Sequence, residues 1–216
     1  MHRRDFIGTG AAALALAAAR PGVALAQAPG DAKLKAVLDT VFYGDIDLEP
    51  ETATQRGFDK GDRAALKSRL DDESPAGRAK RLAHARTALA QLKAIAPATL
   101  SQSAKLQRDV GMYVLEQRLV PETFALASIR RPYPIFQQGG AYFGVPDFLD
   151  SQHTIETKAD ADAYLARMSA FAKALDVDTA NQQAMAPRGV IAPAWAIDLT
   201  LGQMRKLRDL SPAQSN

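Results

Sequence analysis

The sequence predicts an all-α protein, an irregular array of helices with one long Pro/Gly/aromatic loop at about residues 127–150. Three observations predict it. Alanine and leucine are abundant while aromatics make up 6% of the chain, a balance that favours helix over sheet. Apolar residues recur at three- and four-residue spacing along most of the chain. Serine, proline and glycine punctuate the places where those runs begin and end.

Taken in order, Leu34, Val37, Leu38, Val41 and Phe42 place a helix over 31–42, with Gly44 as its stop. Pro50 opens a short helix that Gly57 ends, and a second short helix spans Asp62 to Leu70. Ser74-Pro75 is a cap followed by a first-turn proline. Its helix carries Leu82, Ala85, Leu89, Leu92 and Ile95 on one stripe and closes at Pro97. Ser101 or Ser103 caps the next helix, whose stripe is Leu106, Val110, Tyr113, Val114 and Gln117. Pro121 ends or kinks it, because proline lacks the amide donor and clashes with the preceding turn.

Within 132–146 lie three prolines, three glycines and four aromatics, and neither helical nor strand period survives. Long loops of this kind in compact domains are often functional. The longest helix runs from about Lys158 to Met185, with Tyr164, Leu165, Met168, Phe171, Ala172 and Leu175 inward, and Pro187 and Gly189 end it. Pro193 opens a last helix facing inward through Ile197, Leu201, Met204 and Leu207. Trp195, Ile197, Leu201 and Met204 are also the residues that would lack partners if this array belongs to a larger helical fold.

The first 26 residues read as an address. Arg3-Arg4 precedes Phe6-Ile7 and a mild apolar run from Gly8 to Ala19, and Ala24-Leu25-Ala26 is a small-x-small site with cleavage after Ala26. Paired arginines and an alanine-rich run point to the twin-arginine route, hence to a periplasmic or secreted protein. The run is too short to span about 30 Å of hydrocarbon, so no stable membrane span is expected after processing. The formal charge is +3, and the leader carries three arginines and one aspartate. The remainder holds 24 basic and 23 acidic residues, which gives no electrostatic footprint for nucleic acid. The chain has no cysteine, which excludes disulfides, thiol nucleophiles and thiolate metal sites.

Chemistry-bearing residues are sparse. His84 and His153 are 69 positions apart and neither belongs to a helical ligand pair, so no metal site is expected within this chain. His84 reads as a surface residue and His153 as a helix-start or loop residue. No G-x-S-x-G elbow and no phosphate loop occur, and Gly139-Gly140 reads as a tight turn. The acidic groups Asp71-Asp72-Glu73, Asp160 with Asp162, and Asp176 with Asp178 fall at helix ends or on exposed faces, where the helix dipole accounts for them. No catalytic residue and no cofactor is therefore assigned. Tyr133, Gln137, Gln138, Tyr142 and Phe143 either line a groove for a peptide or small molecule or plug the loop onto the helices.

The segment YPIFQQGGAYFGVPDFLDSQHTIETKADADAYLARMSAFAKALD, with PETATQRGFDKGDRAALKSRLDDESPAGRAKRL before it and APAWAIDLTLGQMRKLRDL after it, resembles the N-terminal part of the bacterial DUF885 family. The resemblance covers most of 33–210. It implies an exported, helical, considerably longer protein that looks like a zinc metallopeptidase, with a His-Glu-x-x-Pro-Gly-His-His type segment in its second half. This sequence contains no such segment, so no family metal or catalytic residue maps onto it. The expected organisation is a signal peptide over 1–26 and, over 27–216, a truncated helical N-terminal region that is inactive alone. The alternative is a stand-alone periplasmic binding or scaffold module. Changing Arg3 and Arg4 together to Lys is expected to trap the unprocessed form inside the cell, and fractionation followed by immunoblotting checks it.

Overall fold

The fold is seen in a computed structural model that describes residues 28–124 and 133–211. Arg3, Arg4, the cleavage site after Ala26 and residues 127–132 of the expected loop lie outside the described residues. These contain seven α-helices and no strand, only an isolated bridge between Phe136 and Gly139.

Helices α1 (Asp31–Leu48), α3 (Pro75–Lys93) and α4 (Gln102–Leu119) pack as one layer. Leu34, Ala85, Ala88, Leu92, Ile95, Leu100, Ala104 and Leu115 form its core. Small residues bring these helices close together. A Cβ added at Gly111 would stand 3.1 Å from Leu92 Cδ1 and 3.4 Å from Leu38 Cδ2. The expected serine caps are present: Ser74 Oγ accepts the Gly77 N–H at 3.1 Å and Ser101 Oγ accepts the Ala104 N–H at 3.3 Å. Arg108 is buried and donates from Nε to the Leu92 carbonyl at 3.0 Å, satisfying a carbonyl in the last turn of α3.

Two expectations for this layer are corrected. Helix α1 runs through Gly44 to Leu48. Gly44 is a crossing point, since a Cβ there would lie 2.3 Å from His84 Cε1. His84 is accordingly half-buried, bonded through Nε2 to the Val41 carbonyl at 3.1 Å, with Asp45 at 3.5 Å. On α4 the large apolar stripe faces outward: Leu106 is 65% and Tyr113 63% exposed, with Val110 and Val114 also exposed. Its buried face is Ala104, Arg108 and Leu115, beside Gly111 and Met112. Small residues let α4 approach α1 and α3 closely, and this favours that face over the bulkier one.

The second half is built on α6 (Lys158–Met185), with α5 (Ala141–Ser151) packed against it. Helix α5 corrects the long-loop expectation, since residues 141–151 are helical even with Pro146 inside. Val145, Phe148 and Leu149 bury its inner face against Leu70, Tyr164 and Phe171. The start of α6 is a capping box: Thr157 Oγ accepts the Asp160 N–H and the Asp160 carboxylate accepts the Thr157 N–H at 2.8 Å. Its expected inward stripe is partly wrong. Leu165, Met168 and Ala172 are exposed, and Arg167, Asp178 and Met185 are buried. The last helix, α7 (Ala194–Asp209), faces inward through Ala196 and Thr200. Ile197, Leu201 and Leu207 are exposed instead, as is Trp195, and Met204 is half-buried.

Helix α2 (Pro50–Gln55) and a 3-10 segment (Gly61–Ser68) join the halves. Ile46, Ala53 and Leu66 form a small core there. Arg167 of α6, 0% exposed, reaches into this joint. It donates from Nε to the Arg69 carbonyl (2.8 Å), from one terminal nitrogen to His153 Nδ1 (2.8 Å), and from the other to Thr54 Oγ1 (2.7 Å), the Leu66 carbonyl (3.2 Å) and the Pro50 carbonyl (3.4 Å). Its guanidinium lies 4.7 Å from the Phe148 ring centroid. Because a guanidinium only donates, His153 Nδ1 is bare and Nε2 carries the proton, given to the Asp160 carbonyl at 2.9 Å. His153 is 5% exposed and so is a buried partner of Arg167. Burial, then the neighbouring Arg167 and Lys67 charges, push its pKa below the ordinary value, against the opposing Asp160 carbonyl.

Arg167→Lys keeps the charge but lacks the fork needed for these acceptors. It is expected to destabilise the protein by about 3 kcal/mol in urea unfolding at pH 7. His153 adds a pH dependence. Its depressed native pKa means the unfolded chain binds more protons, so its contribution is present above about pH 6.5 and is lost as pH falls through the native value. The thermal midpoint of wild type is expected to fall relative to that of His153→Gln between pH 7 and pH 5, and this difference isolates His153 from the carboxyl groups that titrate in the same range.

Candidate functional site

A cleft of about 1000 Å³ opens between the linker over 69–74, the first turns of α3, and the joined ends of α5 and α6. The segment over 134–145 supplies one wall through Pro134, Gly140, Ala141, Gly144 and Val145. The turn before α5 sets that wall. Phe136 and Gly139 exchange backbone hydrogen bonds at 3.2 and 2.9 Å, which makes the expected tight turn. Gly140 follows at φ +101°, a conformation L side chains rarely adopt. A Cβ on it would meet the Pro134 carbonyl at 3.1 Å and Asp178 Oδ2 at 3.2 Å. Asp178, buried on α6, accepts the Ala141 N–H at 2.5 Å and so pins the start of α5 to the cleft.

The opposite wall is acidic. Glu51 in the first turn of α2 and Asp71 in the linker clasp each other across 20 residues. Asp71 Oδ1 accepts the Glu51 N–H at 3.0 Å, and Glu51 Oε1 accepts the Asp71 N–H at 3.1 Å. Burial, reinforced by the negative Glu51, raises the Asp71 carboxyl to about 7. Burial also raises Glu51, opposed by the Asp71 N–H and by Arg167. Asp72 turns the other way: its hydrogen bonds from Ser74 outweigh burial and hold its pKa below the usual range. Asp72 and Glu73 share the rim, with Arg69, Arg78 and Lys173 as the cationic lining groups. The Asn181 side-chain amide donates to the Glu73 carbonyl at 3.1 Å, tying the linker to α6.

The aromatic-loop residues lie beside this cleft and outside its lining. Tyr142 is buried, and its one hydroxyl proton is shared between the Phe136 carbonyl at 2.9 Å and Gln203 Oε1 of α7 at 2.8 Å. Phe143 and Gln138 are exposed, and Tyr133 and Gln137 are half-buried. Gln137 Oε1 is sealed from solvent with no hydrogen-bond partner. Sequence reasoning missed the Glu51–Asp71 pair and took Asp71 for an ordinary helix-end acid. The two carboxylates are far apart in sequence, and the only local signal was the run of three acids before a serine cap.

Among the described residues, no group of three or more His, Asp or Glu converges to hold a metal ion. The zinc implied by the resemblance therefore does not fit the side chains brought together here. The arrangement offers a wide cleft, a carboxyl group poised to exchange a proton near neutrality, and a rigid glycine-shaped wall. No described helix is long and apolar enough to cross a membrane.

No curated protein and no solved structure matches the chain. A family model does, over residues 50–216, and its description is bacterial protein of unknown function (DUF885). The match takes in α2, the linker, both cleft walls and all of α3 to α7. This chain belongs to the DUF885 family.

Proposed function

We propose that the chain is the substrate-facing helical N-terminal part of an exported, zinc-peptidase-like DUF885 protein, and that it is inactive by itself. The observation that carries this reading is the cleft: the segment over 134–145 and the acidic linker face one another across a volume suited to a peptide or small molecule. The carboxylates on one wall favour a substrate with an amino group or a basic side chain. Catalytic metal chemistry in this reading comes from a His-Glu-x-x-Pro-Gly-His-His type segment, which no position here replaces. Export by the twin-arginine route rests on Arg3 and Arg4 and places the protein in the periplasm or outside the cell.

The mature chain, mixed with zinc and a library of short peptides with free amino termini, is expected to bind without turnover. Amide chemical shifts of Asp71, Gly140 and Val145 are expected to move, and N-acetylated peptides are expected to move them less. Zinc-dependent hydrolysis abolished by His84→Ala or His153→Ala would sink this reading, as would a library that leaves those amides unmoved.

A further inference from the structure

Glu51 and Asp71 do more than share a wall of the cleft. Each carboxylate accepts the other residue's backbone N–H, so the two side chains are the stitches between α2 and the linker. The linker carries the Arg69 carbonyl that receives Arg167 Nε, and Leu70, which packs on α5. Movement of this segment would therefore change the shape of the cleft.

The charges around the pair are unbalanced. Glu49 at the α2 cap and Glu73 on the linker add negative potential at Asp71, Glu73 being paired with Arg81 of α3 at 3.0 Å, and Asp72 is its neighbour, with Lys80 and Arg81 as the cations acting on Asp72. Asp59 lies near Arg167, the cation that favours ionised Glu51 and feels both carboxylates. Arg69, Arg78 of α3, and Lys173 and Asp178 of α6 line the rest of the cleft. Arg167 is committed to neutral acceptors by its geometry. One negative charge on the pair is well accommodated, whereas a second is opposed by like charge and by burial.

We propose that Glu51 and Asp71 form a proton-operated clasp, which holds the cleft linker against α2 while the pair keeps one proton and loosens when that proton leaves. The sign follows from linkage. The Asp71 pKa is raised in the closed form to about 7 from an ordinary 3.8, so the closed form binds more protons than an opened, hydrated one. The clasp is strongest in acid, weakens as pH rises towards 7, and levels off above it.

Hydrogen exchange of the Glu51 and Asp71 amides in the mature chain, followed by NMR from pH 5 to pH 8, tests this. After correction for intrinsic exchange, protection is expected to fall by up to about tenfold per pH unit to pH 7 and then stay level. Asp71→Asn keeps the Oδ1 acceptor without a titrating group, and its protection is expected to be flat across the range. Equal slopes in wild type and Asp71→Asn, or a flat wild type, would overturn the clasp. Titration of the Asp71 side-chain carbon in wild type is independent of any variant: a midpoint near 7 supports the proposal and one below 5 overturns it.

Discussion

One buried guanidinium organises this protein. Arg167 is the point at which α6, α2, the 3-10 segment and the linker meet, and its hydrogen bonds reach residues 98 to 117 positions away as well as His153 nearby. A charge removed from water at that depth is tolerated only when its donors are well satisfied. Every acceptor it uses is neutral, and three are backbone carbonyls, of which Pro50 and Leu66 each accept a second hydrogen bond, from Thr54 Oγ1 and the Arg69 N–H. The joint between the halves is thus a polar lock set among small apolar clusters.

The lock also governs the electrostatics of the cleft. Burial raises both acids, but at Glu51 the Asp71 N–H and Arg167 oppose it, whereas at Asp71 the Glu51 charge reinforces it. On the other side of the guanidinium, His153 stays neutral because its Nδ1 must accept. Lys67 pairs with Asp160 at the start of α6 and ties the 3-10 segment to the same corner. These links join the cap of one helix, the tautomer of one histidine and the protonation of one aspartate.

The helices were largely legible in the sequence because capping and proline signals act locally. Ser74, Ser101 and Thr157 cap where their side chains can reach an amide three residues on. Faces were less legible. The Leu106–Val114 stripe has good helical spacing yet points outward, because periodicity identifies an apolar face without saying which face finds a partner. Helix α5 was hidden by proline and glycine, although Pro146 lies only in its middle turns and Gly140 just before it. The Arg167 joint and the Glu51–Asp71 pair were not legible, since each depends on side chains brought together from separate segments. Arg167 sits among alanines and charges in α6, where a solvated position is the ordinary expectation.

The single tryptophan has an optical consequence. Trp195 stands 60% exposed on α7, a helix anchored by small residues and by the Tyr142–Gln203 contact, away from the three-helix core. Its indole is the chain's one long-wavelength fluorophore, and it senses the edge of the molecule. Intrinsic emission therefore reports whether α7 is docked or covered, and the packing of Leu34, Leu92 and Leu115 is spectroscopically dark by that method.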